Sequence, residues 1–361
     1  MQSYFIPIKY AFISFPFIAF LFLIPFAIYQ YRKHGYINKF RVFILYSFLL
    51  FLITSYYLVI LPLPDTRDII SIQKPGTKHT QLTPFNFIFD ILRETKVDFK
   101  NPLTYLNILK ERAFLQAAFN GILLLPMGVY LRYYFKKNLK QTLLMTFLFS
   151  LFFELTQLTG LYGIYNAPYR IFDIDDLMLN TFGGYIGYLI APIFTFFLPD
   201  TSKLDDNINL KEFKVSYFRR IIAFSIDWFI ITTFINKNNI LSEAIWIFIY
   251  FILVPYITNG KTFGKWLLRI QIKGTYEKLT FKEIFTRYAI LYYGVFGTNE
   301  IMSKAIQLNI GYTYYYYIYF IIVIASLVLN VLLFVHLTLS IIKKDRLFYE
   351  KISKTRISII E

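Results

Sequence analysis

Apolar runs of membrane-crossing length recur along the whole chain, and this restricts its backbone severely. In hydrocarbon every main-chain N–H and C=O must find its partner within the protein, so only helices and closed barrels span a bilayer. A spanning helix needs about 20 apolar residues. Runs of roughly that size cover residues 10–31, 42–63, 113–131, 142–159, a stretch ending near 198, 217–235, 241–257 and 312–340. A weaker run at 288–307 is interrupted by Asn299, Glu300 and Lys304. Only 17% of residues are charged and 57% are hydrophobic, whereas soluble chains carry about a quarter charged residues. The expected fold is all-α, a polytopic transmembrane helical bundle of about nine spans in two modules.

Loop charge sets the orientation. Arg32, Lys33, Lys39 and Arg41 follow the first run without an acid among them, and Arg132, Lys136, Lys137 and Lys140 follow the third. Short basic loops stay cytoplasmic, so the N-terminus is expected outside and the C-terminus, with its basic tail, inside. The first run is too long for a typical signal peptide and reads as a retained helix. The expected divisions are residues 1–41 (an extra helix and basic loop), a first membrane domain at 42–199, a cytoplasmic linker at 200–212, and a second membrane domain at 213–357. The formal charge of +16 fits inside-positive loops and contact with membrane lipids, and nucleic acid is not an expected partner. There is no cysteine, hence no thiol nucleophile and no thiolate metal site. His34, His79 and His336 share no chelating spacing, and no metal or cofactor is expected. Gly260-Lys261-Thr262 is not a phosphate-binding loop, because the glycine required five residues earlier is Pro255.

One stretch concentrates polar chemistry. Asp173, Asp176, Asn180, Gly183 and Gly187 form a single helical stripe, preceded by Arg170 and accompanied by Asp175. Polar groups at membrane depth are expensive and normally face protein or water. Alternation of the spans places Asn120, Glu154, Gln157 and Arg170 in the same outer half of the membrane as Asp173, Asp175, Asp176 and Asn180. Three readings stay open: a polar pocket for an envelope ligand, a carboxylate pair acting as acid and base or holding a divalent cation, and a structural Arg–Asp network that also caps the helix. In the second domain Arg220 and Asp227 lie two turns apart on one face. An ion pair of Asp227 with Arg219, Arg220 or Arg287 is the expected arrangement, and an ion relay the alternative.

Two family resemblances follow from these residues. Asn120-Gly-Ile-Leu-Leu-Leu-Pro126, Glu154-Leu-Thr-Gln157 and Arg170-Ile-Phe-Asp173-Ile-Asp175-Asp176-Leu-Met-Leu-Asn180-Thr-Phe-Gly183-Gly184 resemble the VanZ-like family, associated with teicoplanin resistance. Arg219, Arg220 and Asp227, then Lys261, Thr262, Gly264 and Lys265, then Arg287, resemble the RDD family. The Asp usual in that family's closing motif is replaced near Tyr349 and Glu350, which weakens the assignment of an ionisable role to the tail. The VanZ resemblance implies an envelope role, with a wall precursor or glycopeptide-related ligand at the outer cluster. The RDD resemblance implies, as an alternative, an ion or small-solute transporter, and an envelope-modifying enzyme is a third reading. No catalytic motif is evident.

Overall fold

The computed structural model describes residues 2–360 except 99, 207, 211–212, 236–239, 301, 303–312 and 344. Lys304, Lys344 and part of the weak 288–307 run therefore lie outside the described residues. The chain is an all-α, multi-pass membrane protein. Six helices among the described residues are long and apolar enough to cross a membrane: Phe5–His34, Lys39–Ile60, Arg112–Tyr133, Leu139–Leu158, Ile174–Thr195 and Phe320–Lys343. Nine are expected from sequence, and the other three elements are not among these six. The Tyr217–Thr232 helix has 16 residues and rises about 24 Å, less than the ~30 Å hydrocarbon core. Leu241–Ile257 is a shorter apolar helix, and the 288–307 run, which includes the π-helical turn Ala289–Gly297, lies partly outside the described residues.

The chain divides into two compact units, Met1–Leu23 with Asn38–Asp206, and Ile24–Ile37 with Asn207–Glu361. The first helix, α1 (Gln2–His34), contributes to both.

In the first unit, α2 (Lys39–Ile60) starts at Asn38, whose side chain accepts from the N–H groups of Phe40 and Arg41. After β1 (Thr80–Gln81) comes the nine-residue α3 (Asn86–Glu94), too short to span. The third run is broken into α4 (Arg112–Leu123) and α5 (Leu125–Tyr133), with Leu124 out of helical geometry. Pro126 explains the break, because its ring removes an amide donor and crowds the preceding turn. A capping box at Asn138 and Gln141 begins α6 (Leu139–Leu158). A short turn, α7 (Gly160–Gly163), and β2 (Phe172–Asp173) lead into α8 (Ile174–Thr195). β1 and β2 pair in parallel, Thr80 opposite Phe172 and Gln81 opposite Asp173.

Helix α8 is the axis of this unit, packed against α4, α5 and α6. Lipid tails are as apolar as leucine, so close packing rather than hydrophobicity drives such association. Glycines allow it. A Cβ at Gly187 would strike the Leu125 carbonyl oxygen, and one at Gly128 the Gly184 carbonyl oxygen. Leu124, Met127, Leu131 and Phe153 fill the adjoining core.

In the second unit, α9 (Tyr217–Thr232) is capped by Ser216. Next come α10 (Ile240–Ile247), a π-helical turn (Phe248–Leu253) and α11 (Val254–Ile257). Then follow α12 (Phe263–Leu267), β3 (Ile270–Lys273), α13 (Phe281–Tyr288) and the second π-helical turn. The long α14 (Thr313–Lys343), α15 (Phe348–Ile352) and β4 (Arg356–Ile359) complete the chain. β3 and β4 pair antiparallel, with Ile270 opposite Ile359 and Lys273 opposite Arg356. The core is aromatic: Phe251 and Tyr292 stack with ring centroids 4.4 Å apart.

Candidate functional site

The first unit gathers its carboxylates at the N-terminal end of α8, alongside α4. Asp173 is the N-cap of α8, its Oδ1 accepting from the Asp175 amide at 2.9 Å. Capping alone accounts for that carboxylate. Asp175 does something different. It is 2% exposed, and its two oxygens accept from the amides of Phe85 at 2.6 Å and Phe87 at 2.8 Å. A buried carboxylate on α8 thereby anchors the first turn of α3, where Phe85 sits in the left-handed region.

Asp176 is one residue further round the helix and turns to α4, where the Asn120 amide donates to its Oδ1. Asn120, Asp173, Asp175 and Asp176 line one cavity of about 260 Å³. Asp90 and Glu94 from α3 and Arg112 and Gln116 from α4 complete its polar wall. Sequence reasoning overlooked these four. Their spacing carried the signal: Asp90 and Glu94 are four apart, and Arg112, Gln116 and Asn120 repeat at the same interval along one helix face.

The other expected site residues lie behind the cavity wall. Glu154, 1% exposed, accepts from the Asp173 amide at 2.9 Å and so braces the start of α8. Gln157 donates to the Val59 carbonyl at 3.1 Å, and Arg170 to the Leu61 carbonyl at 2.9 Å. Both hold the end of α2. No ion pair joins Arg170 to the aspartates among the described residues, so the Arg–Asp network of the structural reading gives way to arginine capping of backbone carbonyls. Asn180, one turn deeper, donates to Ser150 Oγ at 2.9 Å. No group of three His, Asp or Glu residues placed to hold a metal ion occurs among the described residues.

The second unit holds two buried ionic centres. Asp227 is fully buried and accepts from Tyr250 Oη at 2.8 Å, from the Gly264 amide at 2.7 Å, and from Thr262 Oγ1. Its cation is Lys265, with Nζ 3.6 Å from Oδ2, and not one of the three arginines expected. The reason is the start of α12. Thr262 caps that helix, and Gly264 lets it approach α9 so closely that a Cβ there would strike the Ala223 carbonyl. Lys265 then points at the carboxylate from the same turn. Lys261 joins the described hydrogen bonds through its main chain.

Arg219 is spent on backbone. It donates to the carbonyls of Leu268, Arg269 and Gly35, and its guanidinium lies 4.2 Å from the Tyr31 ring centroid. Arg220 and Arg287 converge on Glu350, at 3.2 Å and 2.8 Å. The tail does carry an ionisable role, which its departure from the family's closing motif argues against. A glutamate one residue beyond Tyr349 closes the centre. Burial raises the Glu350 carboxyl, but Arg287 and then Arg220 outweigh it and hold the group below its ordinary range.

Comparison with known proteins agrees with the residue patterns. Residues 43–195 match the VanZ/LLP1 family model, and residues 240–347 match the RDD family model. Arg219, Arg220 and Asp227 precede the second match, and Glu350 follows it. No curated protein and no solved structure matches the chain. It is a multi-pass membrane protein in which an N-terminal VanZ-like domain, residues 43–195, is fused to a C-terminal RDD-family domain, residues 240–347, a combination consistent with a cell-envelope role at the bacterial plasma membrane.

Proposed function

We propose that the VanZ-like domain binds the polar head group of an envelope lipid or wall precursor in the acid-lined cavity at the outer ends of α4 and α8. The observation that carries this reading is the Asn120–Asp176 contact within a cavity that also takes in Asp90, Glu94 and Asp173. A wall of carboxylates with Arg112 at its rim favours an occupant bearing an amino group beside hydroxyls, since opposite charge and hydrogen-bond donors both find partners there. Binding of this kind would shield a precursor from a glycopeptide such as teicoplanin. Transport through the RDD-family domain is the less favoured reading, because Asp227 is already saturated by Tyr250, Thr262, Gly264 and Lys265.

The outward orientation of the cavity rests on a nine-span topology with the N-terminus outside. Two internal pairings support it. Arg219 Nη1 donates to the Gly35 carbonyl at 2.8 Å, so the basic turn after α1 and the start of α9 share a side. The β3–β4 ladder puts the 270–273 loop and the C-terminal tail on one side, which requires an even number of crossings between them. With α14 as one of them, the proposed topology needs a second between β3 and α14. Because the chain has no cysteine, single cysteines can test this in intact cells. A membrane-impermeant maleimide should label Gly76→Cys and leave Lys137→Cys unlabelled until the cells are permeabilised. Labelling of Lys137→Cys in intact cells would invert the topology.

Function is tested by teicoplanin susceptibility in a strain lacking the protein, complemented at matched abundance. Wild type should raise tolerance, and Asp176→Asn and Asn120→Ala should remove the gain. If wild type and both variants give the same susceptibility as the deletion, a shielding role is wrong.

A further inference from the structure

The second unit contains a larger cavity, about 530 Å³, of opposite character. Its long wall is apolar: Leu291, Val295 and Phe296 from the second π-helical turn face Leu333, Phe334 and Leu337 of α14. Insertion of a π-turn widens a helix locally and frequently marks a functional site. The cavity's other end is cationic, formed by Arg220, Lys265 and Arg287. These three cations face two carboxylates, Glu350 and Asp227, and leave one positive charge over.

Hydrogen bonding at the cationic end is incomplete. Arg220 Nε, Arg287 Nε and Tyr288 Oη are all buried without a partner, although Arg287 is 2% exposed and Tyr288 3% exposed. Buried polar groups in proteins are almost always paired, and three orphans gathered at the cationic end of one cavity point to an acceptor-rich occupant. That occupant must also carry apolar length, because the remaining wall is hydrocarbon and the flanking α14 is a candidate membrane span.

We propose that this cavity is a binding site for an anionic phospholipid. Its phosphate meets Arg220, Arg287 and the Tyr288 hydroxyl, and one acyl chain runs between the π-helical turn and α14. The site lies on the side of the membrane that holds the β3–β4 ladder and the basic tail, where inside-positive loops place anionic lipid. It is independent of the acid-lined cavity and of that cavity's ligand.

Native mass spectrometry of the detergent-solubilised full chain, with equimolar phosphatidylglycerol and phosphatidylcholine of matched chains, tests the site. Wild type should retain phosphatidylglycerol about tenfold more than phosphatidylcholine, a factor equal to about 1.4 kcal/mol. Leu333→Trp fills the apolar wall and should abolish that preference. Leu332→Trp is the control, since Leu332 is 61% exposed and is not among the lining residues. Tyr288→Phe removes an orphaned hydroxyl, so it should leave folding intact while lowering phosphatidylglycerol retention alone, and it carries the test if Leu333→Trp does not fold. Equal retention of the two lipids overturns the proposal. So does unaltered phosphatidylglycerol retention in Tyr288→Phe together with a folded Leu333→Trp. Displacement of the lipid by millimolar inorganic phosphate would make this a headgroup site only, and a lipid-free dimer dissociated by Leu333→Trp would make the occupant a second copy of the chain. Either result also overturns it.

Discussion

Replacing Glu350 with alanine should lower the unfolding midpoint of the second unit by about 6–20 °C. Glu350 is fully buried and its two oxygens serve Arg287 and Arg220, whose side chains are 3% and 16% exposed. Removing one member of a buried ion pair leaves its partners desolvated and uncompensated, which costs about 3–5 kcal/mol. At about 2–4 °C per kcal/mol for a unit of 150 or more residues, the shift follows. Trp228, Trp246 and Trp266 are the only tryptophans, and all lie in this unit, so intrinsic fluorescence reports its unfolding in isolation. Glu350→Gln, which keeps the acceptor oxygen but not the charge, should fall between. A midpoint within 2 °C of wild type for Glu350→Ala would mean that water reaches the two arginines. The same centre predicts a pH dependence. The folded carboxyl titrates below its ordinary value, so its stabilisation is complete above the unfolded carboxylate range of about 4.3 and is lost as the pH falls through the lower folded value. Below about pH 4 the wild-type midpoint should therefore drop towards that of Glu350→Gln, which lacks the titrating group.

What the sequence disclosed about these sites depended on the distance over which the signal acts. The stripe Asp173–Asp176–Asn180–Gly183–Gly187 is local, set by the 3.6-residue period, and the helix it belongs to is there. Placing Asn120 against Asp176 needed the order of spans and nothing finer. The partner of each carboxylate was not legible. Asp175 caps α3 because β1 and β2 pair in parallel and carry Phe85 and Phe87 over α8, a non-local register that no spacing encodes. Asp227 takes Lys265 because Gly264 lets α12 approach α9. The three arginines expected to pair with it find carbonyls and Glu350. The tail was underrated for a related reason: a glutamate in place of the usual aspartate still reaches two arginines that are remote in sequence. Span counting by apolar length was least secure in the second unit, where helices are short and two π-helical turns interrupt regular winding.

The α5–α8 seam in the first unit should be as sensitive to one methyl group as the Glu350 centre is to one charge. At Gly187 an added Cβ meets the Leu125 carbonyl oxygen, and at Gly128 the Gly184 carbonyl oxygen, both well inside van der Waals contact. Main-chain atoms of a packed helix cannot rotate aside as a flexible side chain can, so the helices must separate. Overpacking of this kind costs about 1–3 kcal/mol and sometimes more. The collision falls where α5 and α8 pack most extensively, and close approach of small residues is what holds membrane helices together. Gly187→Ala should therefore sit at or above the top of that range, and hydrogen exchange in residues 174–195 should accelerate by at least a hundredfold, as about 2.8 kcal/mol requires. Gly121→Ala provides the contrast. A Cβ there meets nothing within 4 Å, and alanine is the better helix former by up to about 1 kcal/mol, so exchange should be unchanged or slower. Tryptophan fluorescence should be unaffected in both variants, because no tryptophan lies in this unit. Equal exchange in the two variants would show that α8 has slack against α5. The positioning of Asp173 and Asp176 at its head would then have to come from Glu154 and Asn120 alone.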